Sequence, residues 1–359
     1  MDDQVGEAPL LETAESALPE PTTLQLEEHD VTLMPPRRFH VFKRMRVSLR
    51  TFISILAAFA MGLSSGYLAW GRTAMKAESA SLPVPGATPT AEHTHSVTID
   101  VAALSRQVNP SEGYALPVQP GDLGPQLVAA GAIDYQNFVK VYVDAGQPLN
   151  GGQITLLTKG SHQPIVIDQS SAYFLLNFFW ALGLTNRNSI LLAGPMMKEG
   201  KGQIGNFAST GGWTIGSKSP IELYASTPLF ILNYEQQRRL EEVAQSVFRP
   251  CCSNPTNFPD CNHGMAMLGL LELMAAQNAT VDDMFKAAKY VNAFWYPQQS
   301  LELAIAFKAA QNTDFTQVDA RELTSAKFSS GAGFKAVHQW LSNNGLLQQG
   351  TGGGNNCGV

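Results

Sequence analysis

The stretch SSAYFLLNFFWALGL, residues 170–184, is strongly apolar along its whole length. We expect it to form a central helix, because a helix that is apolar on every side is normally buried. Ser170 or Ser171 is available to cap its first turn. Its fifteen residues, with Asn177 among them, are short for a membrane span, which needs about twenty. The stretch therefore predicts the core of a helical domain.

Further segments of the chain share the apolar periodicity of helices. They are residues 123–133, 134–146, 232–248, 280–297, 299–310 and 332–342. Asp134 is expected to cap the second of these, and Thr280 begins a capping box in the fourth. The Gly-rich segment 202–224, with Trp213 and Ile215, predicts a small irregular or β-hairpin insertion. The predicted fold class is therefore mainly α.

The first seventy residues differ in composition from the rest of the chain. Residues 1–34 hold nine acidic side chains and no Lys or Arg, which predicts a disordered acidic tail. Residues 35–50 hold six basic side chains and no acidic ones. Residues 51–70, TFISILAAFAMGLSSGYLAW, carry no charge. Because twenty helical residues span about 30 Å, the thickness of the bilayer's hydrocarbon core, we predict a single transmembrane helix at residues 51–70.

The basic residues also predict how the chain is oriented in the membrane. Residues 35–50 lie before the span, only Arg72 and Lys76 closely follow it, and Lys and Arg are concentrated on the cytoplasmic side. The N-terminus is therefore expected inside and the main part of the chain outside. The outer part divides into a flexible linker, a helical extracytoplasmic domain and a Gly-rich tail at residues 71–97, 98–349 and 350–359.

The charge of the outer part bears on its partners. From residue 99 onward the chain has 16 Lys and Arg against 19 Asp and Glu. A domain without excess positive charge is not expected to bind nucleic acid. The predicted partners are the membrane, through residues 51–70, and another protein of the cell envelope.

The segment RPCCSNPTNFPDCNHGM, residues 249–265, contains three of the four cysteines. Cys251, Cys252, Cys261 and His263 offer thiolate and imidazole donors, which suit zinc or copper. The following helix should begin near His263, so the amides of its first turn would stabilise a Cys261 thiolate and lower its pKa. We therefore predict a transition-metal site built from these four residues.

Two other interpretations of the cysteines stay open. The spacing CC-x8-C-x-H differs from that of familiar zinc modules, the four cysteines are even in number, and the predicted compartment is oxidising. Cys357, in the Gly-rich tail, is able to reach the cluster, so structural disulfides in an envelope interaction or scaffold domain are one alternative. The other is a thiol oxidoreductase that uses Cys251 or Cys252 with Cys261.

The helix that follows the cysteine cluster contains residues whose burial can also be predicted. Met265, Met267 and Met274 are interpreted as core residues. Glu272 is a candidate buried carboxylate that pairs with a cation or supports the cysteine site, but we expect it to reach solvent at the helix end. The chain has no motif of a metalloprotease or of covalent haem attachment, and no credible serine nucleophile. The sequence therefore does not predict an enzyme.

The segment RPCCSNPTNFPDCNHGMAMLGLLELMAAQ, followed by TVDDMFKAAKYVNAFWYPQQ, resembles a block in uncharacterised bacterial membrane-anchored envelope proteins. More distantly, residues 249–296 resemble the PCYCGC-motif proteins of bacterial envelopes. Pro250, Cys251 and Cys252 match that motif, whereas its second Cys-Gly-Cys half is absent here. The resemblance implies a protein of the bacterial cytoplasmic membrane and envelope, with a role in metal binding and no established reaction.

Overall fold

The computed structural model describes residues 99–200 and 202–347, and these residues are mainly helical, as predicted. Among them no helix combines the length and the apolar character that crossing a membrane requires. The predicted acidic tail, basic segment, transmembrane helix and linker, residues 1–97, lie outside the described residues, and so does the tail with Cys357.

The α-helices of the described residues range from four to fifteen residues in length. They are α1 (Val101–Val108), α2 (Leu123–Ala129), α3 (Tyr135–Asp144), α4 (Gly151–Thr158), α5 (Ala172–Thr185), α6 (Ser189–Ala193), α7 (Pro195–Glu199), α8 (Ala208–Gly211), α9 (Pro220–Leu223), α10 (Tyr234–Ala244), α11 (Asn262–Ala276), α12 (Val281–Trp295), α13 (Pro297–Gln311), α14 (Ala320–Leu323), α15 (Ala326–Ser329) and α16 (Gly331–Asn343). Two 3₁₀ helices, Ile204–Asn206 and Phe315–Gln317, join them.

Asp134 and Thr280 cap the helices for which they were predicted, whereas Ser171, at the N-cap position of α5, makes no capping hydrogen bond through its side chain. The backbone N–H of Asn137 donates to Asp134 Oδ1 over 3.0 Å at the start of α3. At the start of α12, the backbone N–H of Asp283 donates to Thr280 Oγ1 over 3.1 Å. Pro297 is the first residue of α13, a position where the missing N–H costs nothing. It therefore marks a junction between two helices.

The described strands are short and lie elsewhere than predicted. β1 (Tyr114–Ala115) pairs antiparallel with β2 (Val166–Ile167). Described residues 202–224 contain no strand, so the β-hairpin expectation is wrong, while the irregular alternative fits. Trp213 decides the local conformation: it is buried, and its indole N–H donates to the Ala132 carbonyl over 2.8 Å. This contact with a distant part of the chain outweighs local strand preference.

The centre of the fold is the crossing of α5 and α11, two helices whose residues are almost all buried. A Cβ atom added at Gly183 would lie 2.1 Å from the Met265 carbonyl oxygen. A Cβ atom added at Gly269 would lie 2.4 Å from the carbonyl oxygen of Phe179. Glycine on both helices therefore lets the two backbones touch. The central position predicted for residues 170–184 is confirmed, because every residue from Phe174 to Thr185 is buried.

The side chains of α11 that face this crossing include a carboxyl group. Met265, Met267 and Met274 are buried, as predicted. Glu272 is also completely buried, so the expectation that it reaches solvent is wrong. Its Oε2 accepts a hydrogen bond from Asn186 Nδ2 over 2.9 Å, at the end of α5. The crossing places this face of α11 against α5 although the residue lies only one turn from the helix end.

Candidate metal centre

The cysteine segment folds back on the end of α10. The backbone N–H of Thr256 donates to the Val247 carbonyl, and that of Asn257 donates to the Ala244 carbonyl, each over 2.9 Å. This return brings both ends of the segment together, with α11 beginning directly after Cys261, as the sequence predicts. The loop thus positions all three cysteines at the N-terminal end of α11.

The three cysteines converge. The Sγ atoms of Cys251, Cys252 and Cys261 all lie within 4.8 Å of one another, and those of Cys251 and Cys261 are 3.5 Å apart. All three are half-buried free thiols. A tetrahedral zinc ion with Zn–S bonds of about 2.3 Å separates its sulfur ligands by about 3.8 Å. The triad, as we call these three residues, is therefore spaced to bind one thiophilic ion.

Cys261 is the residue of the triad that carries a negative charge. It caps α11, where its Sγ accepts the backbone N–H of Gly264 over 3.4 Å. Hydrogen bonds from the Cys251 and Cys252 thiols hold the pKa of Cys261 well below its usual range, and the charge of Arg249 lowers it further. Burial acts in the opposite direction but does not prevail. The predicted thiolate at Cys261 therefore has more partners than the helix terminus alone.

Arg249 is the residue that sequence reasoning missed. Its side chain is 2% exposed, and its Nε donates to Cys261 Sγ over 3.0 Å. The remaining donors bind Asp260 Oδ1 over 2.6 Å and the carbonyls of Asn254 and Phe258 over 2.9 and 3.3 Å. Burial lowers its pKa, but the neighbouring cysteines, Cys261 first among them, raise it above its usual value, so it stays charged. Only its position at the start of the segment hinted at this role.

The other two thiols keep their protons. The pKa of Cys252 is lowered by its hydrogen bond with Cys251, but its hydrogen bond with Cys261 and burial raise it to about 11. Hydrogen bonds with Cys252 and Cys261 raise the pKa of Cys251 above its usual range. The hydroxyl of Tyr296 donates to Cys251 Sγ over 2.9 Å. At neutral pH the triad therefore holds one thiolate and two thiols that donate to it.

His263 is close to the triad in sequence but belongs to a different environment. Its ring nitrogens are not among the ligand atoms that lie within 4.8 Å of one another, which are the three cysteine sulfurs. Its Nδ1 lies 2.9 Å from Asn262 Oδ1, and because an amide oxygen only accepts, Nδ1 carries the proton. The ring packs against Trp295 and Tyr296, and it lines a cavity of about 320 Å³. Burial lowers the pKa of His263 to about 4, so the imidazole is neutral at physiological pH.

These contacts define the chemistry that the triad can perform. A divalent ion would replace the two thiol protons, and three sulfur donors with room for one further ligand suit zinc or monovalent copper. The short distance between Cys251 and Cys261 also permits a disulfide, although 3.5 Å exceeds the bond length of about 2.0 Å. In comparisons with protein-family models, curated proteins and solved structures, nothing matches this chain.

Proposed function

We propose that this chain is a membrane-anchored extracytoplasmic protein of the bacterial envelope that binds zinc or copper for metal handling or sensing. The observation that carries the proposal is the convergence of the Cys251, Cys252 and Cys261 sulfurs within 4.8 Å. Three thiolate donors form a soft ligand set, which these two metals prefer. The membrane anchor rests on the uncharged residues 51–70 and their basic flank.

The contacts around the triad support a site that is formed before the ion arrives. Arg249 holds Cys261 as a thiolate, and Asp260 holds Arg249. Metal-binding side chains are commonly oriented in this way by the groups behind them, and losing such a group typically weakens metal binding by 10- to 100-fold. His263, the fourth residue of the predicted set, is a ligand only if its ring leaves Trp295 and Tyr296.

Metal analysis of the full-length reduced protein tests the proposal. We expect about one zinc or copper ion per chain, and its loss in the variant with Cys251→Ser, Cys252→Ser and Cys261→Ser combined. Cys357→Ser is the matched control and should leave the metal content unchanged. Metal content at background level in the reduced protein would refute the proposal. His263→Gln, measured alongside, decides whether the imidazole contributes.

A second candidate function is thiol–disulfide exchange, and the geometry of one pair favours it. Cys261 has a lowered pKa and lies 3.5 Å from Cys251, the arrangement of an attacking thiolate and a resolving thiol. Rapid alkylation of Cys261 at neutral pH, with a Cys251–Cys261 disulfide after mild oxidation, would support it. Uniformly slow alkylation of all thiols would exclude it. A stable disulfide in the protein isolated without reductant would instead favour the scaffold alternative.

A further inference from the structure

The coordination offered by the triad has three sulfurs, and the nearby groups that would supply a fourth protein ligand are already engaged. Asp260 Oδ1 accepts from Arg249 and its Oδ2 accepts from Asn254 Nδ2 over 2.9 Å. His263 packs against the rings of Trp295 and Tyr296 and is not part of the triad. Within the described residues the site therefore offers three protein ligands, so a zinc ion would need a water molecule as its fourth ligand.

The charges around the triad indicate which oxidation state of a bound ion fits the site best. Arg249 is paired with Asp260, so these two groups together add no net charge. Three thiolates then leave a net charge of −2 with a monovalent ion, −1 with a divalent ion and zero with a trivalent ion. An uncompensated charge in a partly buried site is costly, since protein surrounds it in place of water. A thiophilic element that is trivalent and binds three ligands would neutralise the three thiolates and use all three sulfurs.

We propose that the triad binds trivalent arsenic, taken up as arsenous acid, through all three sulfurs. Trivalent arsenic forms three bonds in a pyramid, and its lone pair occupies the fourth position. One As(OH)₃ condenses with the two thiols and the Cys261 thiolate: three As–O bonds and two S–H bonds break, while three As–S bonds form and three water molecules leave. Each water takes a hydroxyl group from arsenic; two of them take their hydrogen from a thiol and the third takes a proton from solvent, and no electron is transferred.

The inference uses the same three residues as the proposed function but does not need a transition metal. Arsenous acid is uncharged at neutral pH, so it reaches the half-buried sulfurs without losing a charged hydration shell. The product is also uncharged, so Arg249 keeps Asp260 as its ionic partner but no longer faces a charged sulfur at Cys261. Because Cys251 and Cys261 are already 3.5 Å apart, little rearrangement is required to bring both onto one atom.

Arsenite binding to the full-length reduced protein tests the inference. After removal of unbound arsenite, we expect about one arsenic per chain, and X-ray absorption at the arsenic edge should show three sulfur neighbours and no oxygen. Alkylation followed by peptide mapping should find Cys251, Cys252 and Cys261 protected and Cys357 modified. This mapping requires no variant, so a folding defect cannot obscure it.

Single cysteine variants show which residues supply the three sulfurs bound to arsenic. Each of Cys251→Ser, Cys252→Ser and Cys261→Ser should change the arsenic environment to two sulfurs and one oxygen, with affinity reduced at least ten-fold. Cys357→Ser is the control and should retain three sulfurs. Two sulfurs in the unmodified protein, or loss of the third sulfur in Cys357→Ser, would overturn the inference.

Zinc and copper binding by the same preparation separates the two proposals. If zinc or copper binds while arsenic shows only two sulfurs, the inference fails and the proposed function stands. If arsenic binds through the three triad sulfurs while neither metal binds, the proposed function fails and the inference stands.

Discussion

At the scale of single residues, Arg249 has the most consequential contacts in the cysteine segment. It is a buried cation that bonds at once to a thiolate, a carboxylate and two backbone carbonyls. A smaller apolar side chain at this position would remove the guanidinium donors from Cys261, Asp260 Oδ1 and both carbonyls. The stability of the loop and the ionisation of Cys261 therefore both depend on Arg249.

Arg249→Met should strongly destabilise the protein. Removing one partner of a buried ion pair typically costs about 3 to 5 kcal/mol, and because Asp260 is 22% exposed we expect the lower end of this range. Urea unfolding followed by circular dichroism measures the loss. Arg238→Met is the control, because its pair with Glu235 is exposed and such pairs contribute at most about 1 kcal/mol. Equal effects of the two substitutions would contradict the structural role of Arg249.

Gly264→Ala should disturb the triad without removing any of its groups. A Cβ atom at this position would lie 2.4 Å from Arg249 Cζ, so the guanidinium must move away from Cys261. We expect the pKa of Cys261 to rise, with a loss of stability of about 1 to 3 kcal/mol from overpacking. The alkylation rate of Cys261 as a function of pH measures the shift. Gly205→Ala, where the nearest atom is 3.6 Å away, should change neither quantity.

At the scale of helices and strands, the crossing of α5 and α11 determines where the triad lies. Cys261 caps α11, and α11 is held against α5 by backbone contact at Gly183 and Gly269. The packed helices leave no gap for an additional methyl group, so a larger residue at either glycine would force the two backbones apart. The position of the site therefore depends on two glycines far from its chemistry.

Gly183→Ala should destabilise the fold more than an ordinary glycine substitution does. The new Cβ would meet backbone, which cannot swing aside as a side chain can. We expect a loss of about 3 kcal/mol or more, measured by thermal or urea unfolding. In contrast, Gly151→Ala in α4 meets nothing within 4 Å, and because alanine favours helix it should be neutral or slightly stabilising. Similar stabilities of the two variants would argue against a close crossing.

Local patterns predicted the longer helices, because caps and apolar periodicity act over a few residues, but they did not predict the eight-residue helices α1 and α4. Asp134 and Thr280 are examples, since each bonds to an N–H three residues away. Patterns failed where distant contacts decide the outcome. Trp213 bonds to Ala132, and the side chain of Arg249 reaches residues up to twelve positions away across a folded-back loop. The sequence thus identified the cysteines as a cluster but could not identify the cation that holds one of them as a thiolate.

At the scale of the whole molecule, a carboxyl group in the centre of the fold should make its stability depend on pH. Burial raises the pKa of Glu272 well above its usual range, and the hydrogen bond from Asn186 only partly opposes this. Oε1 has no hydrogen-bond partner among the described residues. The carboxyl is therefore protonated in the folded protein at pH values where it is ionised in the unfolded chain.

Glu272→Gln should remove this dependence. Between the usual pKa of a glutamate, about 4.3, and the raised pKa in the fold, only the folded state holds the proton, so the stability of the natural protein falls as pH rises. His263 acts in the opposite sense, since its pKa is lowered to about 4, but it is present in both proteins and cancels in the comparison. Urea unfolding between about pH 5 and pH 9 should show the advantage of the variant growing by up to about 1.4 kcal/mol per pH unit. Parallel stability curves would show that Glu272 ionises freely and that the centre of the fold admits water.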